Sequence, residues 1–197
     1  MKLLAGDKLV IATHNQGKLK ELTSFLSPYG LLVEIASNMG LDDPEETEES
    51  FIGNALLKAR YVAKKTNTIA FADDSGLVVP ALGGKPGIHT ARWAGPSRDY
   101  ALAMKKVHDL LKDKPRDAYF VTVLAIVWPD GQELIFEGKT LGTLAWPIRG
   151  DFSYGYDPMF IPEGDNRTYA EMTLQEKTMT SARGKAFMLF KKALLDA

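Results

Sequence analysis

Short runs of apolar residues alternate along this chain with segments whose apolar residues recur at helical spacing. Residues 8–13, KLVIAT, are rich in β-branched side chains and stop at a polar loop, so they predict a buried strand. Apolar residues then recur at helical spacing from Lys18 to Leu26, and Pro28 ends that pattern. Residues 69–72 predict another buried strand. The alternation predicts a mixed α/β fold.

The same two patterns predict the other elements. Ser50 is a candidate N-cap for one helix, and Thr173 begins a capping box with Glu176. Pro129 and Gly131 mark the turn of a hairpin. The remaining predicted elements are strands at residues 31–36, 118–127, 133–139 and 141–147 and helices at residues 51–63, 100–112 and 186–195.

The composition is typical of a globular domain, and residues 1–197 are predicted to form a single one. There is no Cys, which excludes disulfide scaffolds and thiolate metal sites. The 24 Lys and Arg residues nearly balance 25 Asp and Glu residues, so the chain lacks the basic character of a nucleic-acid-binding module. We find no signal peptide and no apolar stretch of membrane-spanning length, and therefore expect a cytoplasmic protein with no membrane partner.

A polar loop between the first strand and the first helix is the first candidate site. Backbone amides at a helix N-terminus, together with one lysine, can hold a phosphate chain. The alternative is an ordinary turn in which Gly17 serves the backbone geometry. The residues concerned are Thr13, His14, Asn15, Gln16, Gly17 and Lys18.

Carboxylates form the second candidate site. Asp73 and Asp74 come where the predicted strand ends, the usual place of a ligand crevice in an open α/β sheet. Because buried, unpaired carboxylates are costly, we expect a metal or a lysine to compensate at least one of them. Consecutive strand residues point to opposite faces, so the two can have different roles. Oxygen ligands favour Mg²⁺ over Zn²⁺. Six carboxylates also lie in residues 42–49, most of them predicted to form a solvated loop.

The third candidate site is aromatic and basic. Tyr154 could stack on a base and Asp157 could accept a hydrogen bond, while Lys177, Arg183 and Lys185 supply cations. The alternative is core packing for the aromatic rings and a solvated helix face for the cations.

Six sequence blocks in this order resemble the inosine/xanthosine triphosphate pyrophosphatase family over nearly the whole chain. The blocks are ATHNQGK (12–18), the segment from Glu45 to Ala55, FADDSGL (71–77), LGGKPGI (82–88), YGYDP (154–158) and SARG (181–184). The resemblance implies hydrolysis of ITP, XTP and their deoxy forms to the monophosphate and pyrophosphate, a house-cleaning of the nucleotide pool. It also implies Mg²⁺, a homodimer, and an elongated mixed sheet with flanking helices that form two lobes around a central nucleotide cleft.

The resemblance further implies a role for each matching residue. Lys18 would be the charged anchor of the triphosphate and Asp74 the proton acceptor for the attacking water. Glu46 and Asp74 would bind the metal, with Glu45 as the alternative to Glu46. The implied substrate-binding residues are Thr13, His14, Asn15, Gln16, Gly17, Lys18, Ser75, Tyr154, Gly155, Tyr156, Asp157, Lys177, Ala182 and Arg183.

Ala182 departs from the family pattern, which usually has His at this position. The missing imidazole is expected to hydrogen-bond the purine, so the departure concerns base selectivity more than chemistry. Two alternatives stay open on the sequence: a pyrophosphatase for other modified nucleotides, such as pyrimidines, and a nucleotide-binding module that has lost catalysis.

Overall fold

The computed structural model describes residues 2–13, 15–151 and 154–195, apart from the side chain of Gln16. The described residues form six strands and five α-helices, joined by loops and short 3₁₀ turns. In chain order these are β1 (Lys8–Ile11), α1 (Gln16–Leu26), β2 (Leu32–Ile35), α2 (Phe51–Thr66), β3 (Ile69–Val78), α3 (Tyr100–Leu111), β4 (Asp117–Val127), β5 (Glu133–Leu144), β6 (Phe160–Pro162), α4 (Leu174–Thr180) and α5 (Ala182–Leu194).

The strands form one mixed sheet in the order β2-β1-β3-β4-β5-β6. β1 pairs in parallel with β2 and with β3, and α1 and α2 are the helices of the two crossover connections. β5 and β6 pair antiparallel. The predicted mixed α/β fold is confirmed.

The helix starts follow from their capping residues. Ser50 accepts a hydrogen bond from the amide of Gly53, and Thr173 forms the predicted capping box with Glu176. These side chains satisfy amides that have no partner within the helix, which is why α2 and α4 begin where the sequence predicts.

The chain divides into two compact units. The first comprises the chain up to Asp74, Val123–Glu137 and the C-terminal residues from Ala186. Its core consists of two clusters of buried apolar residues, among them Leu9 and Phe71. The second comprises Ser75–Thr122 and Gly138–Lys185, with its own core. The predicted arrangement of two lobes around a cleft stays a prediction.

Three predicted boundaries were wrong. β3 does not end before Asp73 but continues to Val78, so the aspartates lie within the strand. β5 runs without a break to Leu144, so residues 141–147 do not form a separate strand. The last helix begins at Ala182, four residues before the predicted start. In β3 and β5, pairing with neighbouring strands outweighs the low strand propensity of Asp and Gly.

No helix in the described part of the chain is both long enough and apolar enough to cross a membrane.

Candidate active site

The loop between β1 and α1 is organised by Asn15. Its side chain caps α1 by accepting hydrogen bonds from the amides of Gly17 and Lys18, at 3.0 and 3.2 Å. The hydroxyl of Thr13, which is buried, accepts one from the amide of Asn15 at 3.2 Å. Two of the amides expected to hold a phosphate are thus bonded to Asn15 in this structure. His14 lies outside the described residues, and so does the side chain of Gln16.

Lys18, on the first turn of α1, forms an ion pair with Asp73. Its Nζ lies 3.0 Å from Asp73 Oδ2, and the aspartate side chain is fully buried. A buried carboxylate needs a compensating charge, and Lys18 supplies it. The expected compensation by a lysine is confirmed for this residue.

Lys58 contacts two further carboxylates, those of Glu46 and Asp74. Its Nζ lies 2.9 Å from Glu46 Oε1 and 3.3 Å from Asp74 Oδ1. Lys58 is only 7% exposed and Asp74 only 6%. Asp73 and Asp74 therefore have different lysine partners, as their alternation along a strand predicts.

Burial and charge act together on the pKa values of this group. Burial opposes the charge of Lys58, but the surrounding carboxylates, led by Asp74, outweigh it and raise the pKa of the ammonium group. Burial also raises the pKa of the Asp74 carboxyl group, against the opposing effect of Lys58 and Lys18. An aspartate with a raised pKa takes a proton more readily than an exposed one, which suits it to act as a general base.

The carboxylate oxygens of Glu46 and Asp74 fit a hard cation whose remaining ligands are phosphate oxygens and waters. Glu46 and Asp74 both approach the same ammonium group, and Asp74 Oδ2 is buried with no hydrogen-bond partner. Within the described ranges, no three His, Asp or Glu residues are grouped as a complete metal site. Mg²⁺ is commonly held by one or two carboxylates plus phosphates and waters, so this set fits Mg²⁺ that arrives with a phosphate ligand.

The residues around Glu46 agree with the predicted solvated loop. Asp42, Asp43 and Glu45 are exposed, whereas Glu46 is half-buried against Lys58. Glu46 rather than Glu45 therefore contacts the buried group.

The second unit brings together Asp157 and Lys177. Lys177 Nζ lies 2.6 Å from Asp157 Oδ2, and the aspartate is buried. The same Nζ lies 5.9 Å from the ring centres of Tyr154 and Tyr169. Tyr169 is 2% exposed and belongs to the core, so a donor, an acceptor and the ring of Tyr154 are what this unit can offer to a polar aromatic ligand.

Ser75 and Arg183 also belong to the second unit, and they are in contact. The guanidinium group of Arg183 donates a hydrogen bond to the Ser75 hydroxyl at 3.3 Å. Ala182, next to Arg183, is 2% exposed. At Gly184 a β-carbon would overlap the carbonyl oxygen of Thr178, so only glycine fits at this turn of α5.

Tyr156 lies in the core rather than at a surface. It is 1% exposed, and its hydroxyl donates a hydrogen bond to the carbonyl oxygen of Thr90 at 3.0 Å. Gly155 is also buried. Among the residues of the YGYDP block, Tyr154 is the one that is not buried.

The structure adds Lys58 to the candidate residues, and the sequence contains a signal for it. Lys58 occurs among Ala55, Ala59 and Val62 on the apolar face of α2, where an unpaired lysine would be costly. Asp73 is already a candidate from the sequence, and the structure pairs it with Lys18.

Comparisons with known proteins agree with one another. A model of the Ham1 family matches residues 9–193. A dITP/XTP pyrophosphatase of Gluconobacter oxydans is 47% identical over 196 residues, covering 99% of this chain and 94% of the relative. One of Ruegeria pomeroyi is 49% identical over 193 residues, covering 95% of each chain. The solved structure of a HAM1 protein from Coxiella burnetii superposes with a TM-score of 0.90 at 35% identity, covering 97% of this chain and all of that one.

Proposed function

The chain belongs to the Ham1 family, and from this membership we propose that it hydrolyses non-canonical purine nucleoside triphosphates to the monophosphate and pyrophosphate. Its substrates are dITP and XTP, together with ITP and dXTP, which carry the same bases on the other sugar. The observation that carries the proposal is the identity of 47% and 49% over nearly the full length to relatives named dITP/XTP pyrophosphatase. These names favour this function over the two alternatives, a pyrophosphatase for other nucleotides and a module without catalysis.

The first unit supports the phosphate chemistry. Lys18 lies at the start of α1, where its ammonium group can exchange Asp73 for a phosphate oxygen. Transfer of a phosphoryl group mainly requires that the negative charge of the phosphates be neutralised. Lys18, whose ammonium group is positioned by Asp73, is suited to that role.

Asp74 is proposed as the base. Its raised pKa favours acceptance of a proton from the water that attacks the α-phosphorus, and pyrophosphate then leaves. Lys58 keeps the Asp74 carboxylate oriented by its contact with Oδ1. Glu46 and Asp74 would hold Mg²⁺, which when bound supplies positive charge to the phosphates.

The second unit supports recognition of the base. A 6-oxo purine presents an acceptor at O6 and a donor at N1–H, whereas adenine presents the reverse pattern. Lys177 can donate to O6 and Asp157 can accept from N1–H, while the ring of Tyr154 can stack on the purine. Because adenine would set its amino group against Lys177 and its N1 acceptor against Asp157, this pair favours inosine and xanthosine over adenosine.

Assembly and location are further proposals from the family resemblance. We propose a homodimer in the cytoplasm, with no nucleic-acid partner. Sedimentation of the purified chain would test the dimer: a single species of twice the 21.7 kDa chain mass supports it, and a monomer contradicts it.

The function itself is tested by measuring pyrophosphate release from dITP, XTP, ITP, GTP and ATP, with Mg²⁺ and with excess chelator. We expect pyrophosphate and the monophosphate in equal amounts from dITP, ITP and XTP, slow turnover of ATP, and no turnover without the metal. Stepwise release of orthophosphate would contradict attack at the α-phosphorus.

A further inference from the structure

Thr90 lies outside the helices and strands, yet it connects three segments of the second unit. Its hydroxyl accepts a hydrogen bond from the amide of Leu77 at 2.9 Å and donates one to the carbonyl oxygen of Gly87. Its own carbonyl oxygen accepts the hydrogen bond from the Tyr156 hydroxyl at 3.0 Å. Thr90 thus connects β3, the turn at Gly87 just before it in the chain, and the YGYDP block.

The contact with Leu77 stabilises the second half of β3. On one side of β3 the parallel ladder with β1 reaches only as far as Phe71, and β4 is the neighbour on the other side. Leu77 is fully buried, and a buried amide needs an acceptor. The hydroxyl of Thr90 provides that acceptor. Ser75, which contacts Arg183, lies two residues earlier in the same strand, so this bond holds the strand segment that carries Ser75.

The contact with Tyr156 holds the segment that carries the base-recognition residues. Tyr156 directly precedes Asp157 and is separated from Tyr154 by one residue. Burial raises the pKa of its phenol, so the hydroxyl keeps its proton and remains a donor to Thr90. Because Tyr156 is fixed at both its ring and its hydroxyl, the backbone on either side of it is fixed as well.

We propose that Thr90 is a positioning residue for nucleotide binding: through Leu77 and Tyr156 it holds Ser75, Tyr154 and Asp157 in place. This inference rests on the proposed function and adds to it a residue that contacts no substrate. It also gives Tyr156 a role in support of the binding segment, in place of direct contact with the nucleotide.

The test compares steady-state kinetics on dITP for the full chain and its Thr90→Val variant. Valine has nearly the shape of threonine but has no hydroxyl, so the Leu77 amide loses its acceptor. We expect KM to rise about tenfold while kcat stays within about twofold, because a lost buried hydrogen bond of this kind weakens binding and Lys18 and Asp74 are unchanged.

Two further variants assign the effect to the hydrogen bonds. Thr90→Ser keeps the hydroxyl, so its KM should remain within about twofold of that of the unmodified chain. Tyr156→Phe removes only the bond to the Thr90 carbonyl, and its KM should rise in the same direction as in Thr90→Val. Tyr156→Phe decides the question if Thr90→Val does not fold.

A matched control separates positioning from general destabilisation. Thr66 in α2 donates its hydroxyl to the Val62 carbonyl at 2.9 Å, so Thr66→Val makes the same substitution in the first unit and leaves no amide without its acceptor. It should leave KM unchanged. An unchanged KM in folded Thr90→Val, or a Thr90→Ser variant as impaired as Thr90→Val, would overturn the proposal. Absence of pyrophosphate release by the unmodified chain would instead overturn the proposed function.

Discussion

The Nζ atom of Lys58 lies 3.3 Å from Asp74 Oδ1, and both residues are less than a tenth exposed. A second carboxylate, that of Glu46, lies 2.9 Å from the same atom. The proposed general base is therefore held by a buried lysine that is itself shared between two carboxylates. Removing the lysine would leave Asp74 buried without that partner.

Lys58→Met should destabilise the chain strongly. Breaking a buried ion pair by removing one partner costs about 3 kcal/mol or more, whereas an exposed pair contributes about 1 kcal/mol or less. The matched control is Arg60→Met, on the same helix, which removes an exposed pair with Glu133. Urea unfolding of both variants measures the difference. Equal stability of the two would show that the Lys58 contacts do not stabilise the fold.

Asp165 provides a test by pH. Hydrogen bonds from Arg167 lower the pKa of the Asp165 carboxyl group from 3.8 to about 2. The folded state therefore binds this proton less tightly than the unfolded state. Its contribution to stability is present above pH 3.8 and is lost as the pH falls toward 2.

The difference in urea midpoint between the unmodified chain and Asp165→Asn should accordingly shrink between pH 6 and pH 2.5. Because the group is at the surface, salt should reduce the difference at pH 6. A difference that grows as the pH falls would contradict the assigned contact.

Gly184→Ala should disrupt the start of α5. The added methyl group would overlap the carbonyl oxygen of Thr178, so the segment that carries Arg183 must shift. We expect a loss of about 2 kcal/mol or more, as for other overpacked sites. Gly40→Ala is the control: its β-carbon meets open space, and only its positive φ of 72° is strained, at about 1 kcal/mol. Thermal unfolding that shifts equally in both variants would contradict the steric argument.

Ala182→His tests the departure from the family pattern. If an imidazole here hydrogen-bonds the purine, the variant should lower KM for ITP and XTP about fivefold, the equivalent of one hydrogen bond. Ala182→Leu adds similar bulk without a donor and should not lower KM. Because Ala182 is 2% exposed, both variants need a stability measurement beside the kinetics. Unchanged selectivity among ITP, XTP and GTP in Ala182→His would show that the departure has no consequence.

The sequence predicts well what depends on local patterns. The strand β1, the Ser50 cap and the capping box at Thr173 each depend on residues close in sequence, and the structure confirms them. It predicts less well what depends on strand pairing. β3 continues past Asp73 because its neighbours in the sheet, not the propensity of Asp, decide where it ends.

The candidate site shows the same division. The two aspartates and Lys18 could be found from their residue types and positions, and Glu46 from the family resemblance, which left Glu45 as the alternative. The contacts of Lys58 could not, because they join residues 12 and 16 positions apart through a loop whose course the sequence does not reveal. Its position on the apolar face of α2 was the available signal.

The most direct test of the account is the rate of pyrophosphate release from dITP by the unmodified chain and by Asp74→Asn. Asp109→Asn, at an exposed ion pair with Lys105, is the matched control. The account predicts release by the unmodified chain and by the control, and a kcat lower by about 100-fold or more in folded Asp74→Asn, the usual contribution of a general base. Near-normal release by Asp74→Asn would contradict it.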